Sequence, residues 1–140
     1  YVTEVSEKDL ADVYHLLSLL ESDAAGVVAE RATTGQRAEL QALHAELEAA
    51  VADRDRFFSI NEQFHMRLLE MADNRWRQQM VADLRKVMKL NRHSSLFKSG
   101  RINESLAEHR AVMAALLAGD AGLTRQRMAE HFRNGLEAAT

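Results

Sequence analysis

Asn61, His65, His109 and His131 are the residues of this chain whose types and spacing could do chemistry together. At about 100° per residue, Phe57, Ile60, Phe64, Leu68, Met71 and Ala72 gather on one side of a helix, and Asn61 and His65 fall inside that apolar arc. The two lie four residues apart, hence one turn above each other. His109 sits mid-stripe among Ile102, Leu106, Val112, Met113, Leu116 and Leu117. His131 lies at the margin of an arc formed by Met128, Phe132, Gly135 and Leu136. Three helices each point a histidine inward.

An unpartnered buried polar group costs roughly 1–3 kcal/mol, so something must satisfy these rings. Spacing alone leaves two accounts open. The rings can be separate core histidines, each bonded to a backbone carbonyl or a carboxylate. Alternatively they share a metal, since neutral imidazole is the commonest metal ligand and bundles build such sites from i and i+4 residues on one helix plus single ligands from others. A third account is a di-iron enzyme, because Glu62-Gln63-Phe64-His65 matches the E-x-x-H unit of carboxylate bundles. That chemistry needs a second unit, and Leu106 and Met128 stand three residues before His109 and His131. Glu62 also falls on the polar side of its wheel.

The remaining histidines offer less. His15 and His93 read as solvated, and His44, at the edge of a Leu40, Leu43, Leu47, Val51 stripe, reads as a structural partner. Glu21 lies on the apolar arc of its helix, which suggests a buried bond to a nearby helix or loop. No nucleophile elbow, P-loop or Rossmann glycine string occurs, so hydrolase and nucleotide chemistry lack their usual motifs.

The elements that must position these groups are helices. The chain has no proline, six glycines and no alternating window long enough for a strand. Ser6 with Asp9 resembles a capping box opening a first helix, whose stripe Leu10, Val13, Tyr14, Leu17, Leu20, Ala24, Val28 runs to about Arg31. Thr33-Thr34-Gly35 breaks it before the second helix. A third helix, capped near Asp53, runs to about Asp73, and Asn74 can cap a fourth carrying Trp76, Met80, Leu84, Val87 and Met88. The basic, Ser-rich stretch "NRHSSLFKSGR" reads as a loop. A fifth helix begins near Asn103 and ends at Gly119, and a sixth covers Leu123 to about Ala138. The expected fold class is all-α, an antiparallel bundle of six or seven helices in a single domain over residues 1–140.

Composition narrows function further. The 140 residues are 46% hydrophobic and 28% charged, a globular balance, and no apolar run approaches the roughly 20 residues of a membrane span. The start lacks a secretory signal, so the cytoplasm is the expected location. With no cysteine, any metal must be held by His, carboxylate or amide groups. A net charge of −3 with scattered basic residues gives no footprint for gripping DNA.

The segments "NEQFHMRLLEMADN", "ESLAEHRAVMAALLAGD" and "RQRMAEHF" resemble the C-terminal effector domain of FadR-type regulators in the GntR family, the FCD domain. The opening segment, residues 1–33, is similar to that domain's entry and first helix. The order and spacing of the histidines are more specific than any single motif. The resemblance implies a bundle with a divalent metal, zinc first and nickel or manganese as alternatives, at the floor of a pocket for a small carboxylic acid. Carried over by position, the metal ligands are Asn61, His65, His109 and His131. The resemblance also implies a homodimer and a winged helix-turn-helix DNA reader before the domain, with Tyr1 falling about where that reader would hand over.

Three positions depart from the family pattern. Asn61 stands where aspartate is commoner; its neutral amide should hold a cation less tightly and leave more positive charge to attract an acid. Leu17 occupies a first-helix position where many members have an arginine that helps hold the acid. Arg85, Lys89, Arg92 and Arg101 are the candidates to replace it, although each also fits a solvated face. Arg75-Trp76 follows Asn74 where Asn-Pro is frequent, a matter of local packing.

Overall fold

The computed structural model describes residues 6–91 and 100–139; Arg92 and His93 lie outside them. Among the described residues the chain forms six α-helices and one short 3-10 turn, with no strand. They are α1 (Glu7–Arg31), α2 (Thr34–Ala49), α3 (Arg54–Met71), α4 (Arg75–Met88), the 3-10 turn Lys89–Asn91, α5 (Arg101–Leu117) and α6 (Ala121–Ala139). The all-α bundle expected from the sequence is the observed architecture. None of these helices is long and apolar enough to cross a membrane.

Local capping chemistry sets the boundaries. The Ser6, Asp53, Asn74 and Asp120 side chains accept from the backbone N–H three residues on, at 3.1, 3.2, 3.1 and 3.0 Å. Ser6 caps α1 in this one-way fashion, and the reciprocal capping box lies instead at Thr33, whose backbone N–H donates to Gln36 Oε1 while its hydroxyl accepts from Gln36 N. A glutamine side chain is long enough to reach back. The break at Thr33-Thr34-Gly35 is thus the start signal of α2. Gly100 and Gly119 adopt positive φ, +79° and +72°, and flank α5 where a side chain would be strained.

The longest helix, α1, is the organising element, packing against α6, α4, α3 and α5. Its buried face, from Leu10 through Leu17 and Ala24 to Val28, meets Phe64, Leu68, Val81, Leu116, Met128 and Phe132 in the main core. A smaller cluster of Leu47, Ala50, Phe57, Ile60 and Leu106 joins α2, α3 and α5. Together these clusters hold α3, α5 and α6, the three histidine-bearing helices, against one another.

Helix α4 faces inward differently from the sequence expectation. Trp76 and Met80 are 69% and 52% exposed, whereas Val81 and Arg85 are buried. Leu84, Val87 and Met88 are half-buried against the core. Apolar periodicity treats arginine as an outward residue, but here buried carboxylates receive Arg85 and turn its side of the helix inward.

Candidate metal centre

His65, His109 and His131 converge. Their ring centroids lie 5.2, 5.4 and 4.8 Å apart for the pairs 65–109, 65–131 and 109–131. One nitrogen from each ring falls within 4.8 Å of the other two. Asn61, one turn before His65, places Oδ1 2.7 Å from His109 Nε2. The four residues expected to act together are therefore contiguous, and the three rings are buried.

Among the described residues each ring has one polar partner. His65 Nδ1 lies 2.6 Å from Glu21 Oε1, and His131 Nδ1 lies 2.5 Å from Glu108 Oε1. A proton held on each Nδ1 by these carboxylates leaves Nε2 as a lone pair, and among the described residues His65 Nε2 has no hydrogen-bond partner. His109 Nδ1 is also buried without one. When Nδ1 rather than Nε2 carries the His109 proton, Nε2 and the amide oxygen of Asn61 offer two lone pairs to one space. Burial, reinforced by the charge of Arg85, lowers His65 to about 4. Burial followed by the neighbouring imidazoles holds His109 well below the ordinary range. Both rings are neutral at physiological pH, the form that binds a cation.

Behind the rings stand two ion-pair clusters. Glu21 is fully buried on α1; Arg85 donates through Nε and Nη2 to its two oxygens at 3.1 and 3.4 Å. Arg85 Nη1 also donates to Glu62 at 2.6 Å, and Lys89 reaches the other Glu62 oxygen at 3.1 Å. Burial alone would raise Glu21, but Arg85 and His65 outweigh it and hold it near 2. In the second cluster Arg101 forks onto both oxygens of Glu108, 2.9 Å each, and Asn134 donates to the same carboxylate at 3.0 Å. Glu108 is likewise near 2, because His131 and Arg101 override its burial.

A cavity of about 70 Å³ opens beside the rings, lined among others by Tyr14, Asn61, His65, Arg85, Arg101 and His131. That is room for on the order of five water molecules. The missing side chain of Gly135 lets α6 approach: a Cβ there would sit 3.2 Å from the Tyr14 ring and 3.7 Å from Arg101 Nη2.

Of the four cations proposed to hold an acid, Arg85 and Arg101 line this cavity, and their burial overturns the solvated-face account of both. Lys89 is on the rim of the Glu62 pair and outside the lining, and Arg92 lies outside the described residues. Leu17, at the expected arginine position, is core. His15 is exposed, and His44 pairs with Glu48 at 2.9 Å, a structural role. Glu62 is half-buried rather than on an open polar face. Sequence reasoning missed Glu108; its signal was the seven-residue spacing from Arg101, two turns along one face, next to a buried histidine. It found Glu21 to be buried but not whom it served.

Several solved structures share this fold. A solved structure described as E. coli McbR/YncC superposes with a TM-score of 0.89 at 23% identity, over 99% of this chain and 67% of that one. A second, of Lar, described as controlling expression of the Listeria monocytogenes agr system, gives 0.73 at 18% identity, over 96% and 65%. This chain spans about two thirds of the length of each. No curated protein sequence matches. The FCD domain family matches residues 12–134, nearly the whole chain. The chain belongs to the FCD domain family, the generally effector-sensing domain of GntR-type regulators that its sequence resembles.

Proposed function

We propose that this chain is the ligand-sensing half of a bacterial FadR-type regulator, binding one divalent metal through Asn61, His65, His109 and His131 and a small carboxylic acid in the adjoining cavity. The observation that carries the reading is the convergence of three imidazoles, two of them with a buried nitrogen that has no partner among the described residues, beside a cavity that Tyr14, Arg85 and Arg101 also line. Three imidazole nitrogens and an amide oxygen suit zinc, with nickel or manganese as alternatives. When bound, such an ion supplies positive charge and open positions for a carboxylate oxygen.

The chain's own residues do the rest. Glu21 and Glu108 fix the tautomers and orientations of His65 and His131. Tyr14, its pKa raised by burial, keeps its hydroxyl proton and can donate to an anion in the cavity. Phe57 and Phe132 exclude water from the other walls. Because the donors sit on α3, α5 and α6, with Glu21 tying in α1, an acid that draws these helices together shifts their spacing. In a homodimer that shift would move two DNA readers, each preceding this domain, relative to each other in the cytoplasm. It regulates only if the acid binds the two arrangements with different free energy.

Metal content by mass spectrometry, on protein purified without a polyhistidine tag or chelator, tests the site. About one divalent ion per chain is expected, lost in both His65→Ala and His109→Ala. A second reading, a metal-free helical dimerisation module, draws on the fact that every ring already has one hydrogen-bonding partner. Protein that takes up no zinc, nickel or manganese when these are added back would establish that reading and sink the first.

A further inference from the structure

Resting on the metal site just proposed, we infer that metal and acid enter this domain as a mutually dependent pair, because among the described residues the carboxylates and cations around the site are already matched to one another and Asn61 adds an oxygen without a charge. Glu21 and Glu62 are matched by Arg85 and Lys89, and Glu108 by Arg101. The carboxylate oxygens are also spoken for: those of Glu21 by His65 and Arg85, those of Glu108 by His131, Arg101 and Asn134. Neither carboxylate has an uncommitted oxygen. The donors left for a cation are imidazole nitrogens and the Asn61 amide oxygen, none of which carries a negative charge.

A divalent ion in this place carries its whole charge into a buried, partly aromatic cavity, and an isolated charge in such surroundings is strongly disfavoured. An anion in the cavity relieves that penalty. The acid faces the converse problem. Arg85 and Arg101, the two guanidinium groups lining the cavity, are engaged by carboxylates, so neither is a free positive charge for an incoming anion. Each ligand therefore supplies the charge that the other lacks. Linkage makes the coupling reciprocal: the factor by which acid raises metal affinity is the factor by which metal raises acid affinity. The domain would then respond most strongly to the joint presence of both ligands, each binding more weakly when it is alone.

The test is zinc binding by the chelator-stripped domain with and without acetate or malonate, free zinc being buffered by a competing chelator, in the wild type and in Asn61→Asp. Acetate or malonate is expected to raise wild-type zinc affinity about tenfold or more, within the range typical of coupled sites. Calorimetry of the same acid with and without zinc should return the same factor. Asn61→Asp, nearly identical in shape, should bind zinc more tightly without acid and gain little from adding it. Wild-type zinc affinity indifferent to both acids, or an equal gain in Asn61→Asp, overturns the coupling while leaving the metal site standing. Failure of the wild type to bind zinc under any of these conditions removes the metal site itself, and the coupling with it. The wild-type measurements decide the matter even if the variant folds poorly.

Discussion

One end of the α1 stripe and its middle teach different lessons. Toward the C-terminus, Ala24, Ala25, Val28 and Ala29 belong with Leu40, Leu69 and Leu116 to the hydrophobic core. Near the middle, Glu21 carries a carboxylate into a cluster with Arg85, His65 and Glu62. The apolar region is held by area and close packing, which tolerate swaps of similar volume. The polar region has a demand that volume cannot meet, since each buried charge depends on a particular partner. Buried ion pairs of this kind are weak contributors to net stability, yet removing one partner is severe. The bundle is thus packed for stability in one place and specified for geometry in the other.

The largest expected effect separates the two directly. Glu21→Ala leaves Arg85 without its main buried partner and should cost roughly 3–5 kcal/mol. Leu40→Ala, which opens a cavity in the apolar region, should cost roughly 2–5 kcal/mol. Size alone does not distinguish them; metal does. Glu21→Ala also releases the His65 ring, so zinc affinity measured on the folded protein should fall by roughly 10–100-fold, whereas Leu40→Ala should keep it. Chemical denaturation followed by zinc titration measures both. Equal zinc affinity in the two variants would mean that Glu21 does no more than fill space.

Acid sharpens the same contrast. In the chelator-stripped protein, His65 and His109 have pKa values lowered by burial, so the unfolded chain binds protons that the folded one refuses. The His65 contribution is fully present above about 6.5 and is lost as pH falls toward about 4, and that of His109 is lost in the same direction. Glu21 and Glu108, both lowered to about 2, contribute stability above the ordinary 4.5, lost as pH falls further. All four run in one direction, so the melting temperature of the stripped protein should fall continuously from neutral pH into acid. Leu40→Ala should melt lower but follow the same slope. A flat profile between pH 7 and 4 would show that the rings are not buried as neutral groups.

How much of this was legible in the sequence follows the same division. The helices, most of their caps and the inward direction of His65, His109 and His131 could be read because apolar period and cap residues are local signals. The convergence of the rings depended on family resemblance, since spacing says which face a residue takes but not which faces meet. What stayed hidden was the pairing of opposite charges across helices. Arg85 and Arg101 look like surface residues to any rule that counts hydrophobicity, and only the positions of Glu21, Glu62 and Glu108 in space make their burial affordable. Glu108 was overlooked for this reason.

The smallest expected effect comes from the place where that blindness misdirected the reading. Trp76 and Met80 fit an apolar stripe on α4, yet both are exposed, and the Arg75 guanidinium lies 4.9 Å from the centre of the Trp76 ring. The inward face passes through Val81 and Arg85 instead. Trp76→Ser should therefore change stability by no more than about 0.5 kcal/mol, as is usual for exposed positions, while Val81→Ala removes fully buried methyl groups and should cost more. Thermal melts at several protein concentrations make the comparison. A Trp76→Ser cost above that of Val81→Ala and independent of concentration would mean that α4 faces the core as periodicity implied, with Arg85 outside it. A cost that shrinks as the protein is diluted would instead assign Trp76 to an interface between copies of the chain. A negligible cost at every concentration would fit an α4 turned by its buried arginine rather than by its largest apolar side chain.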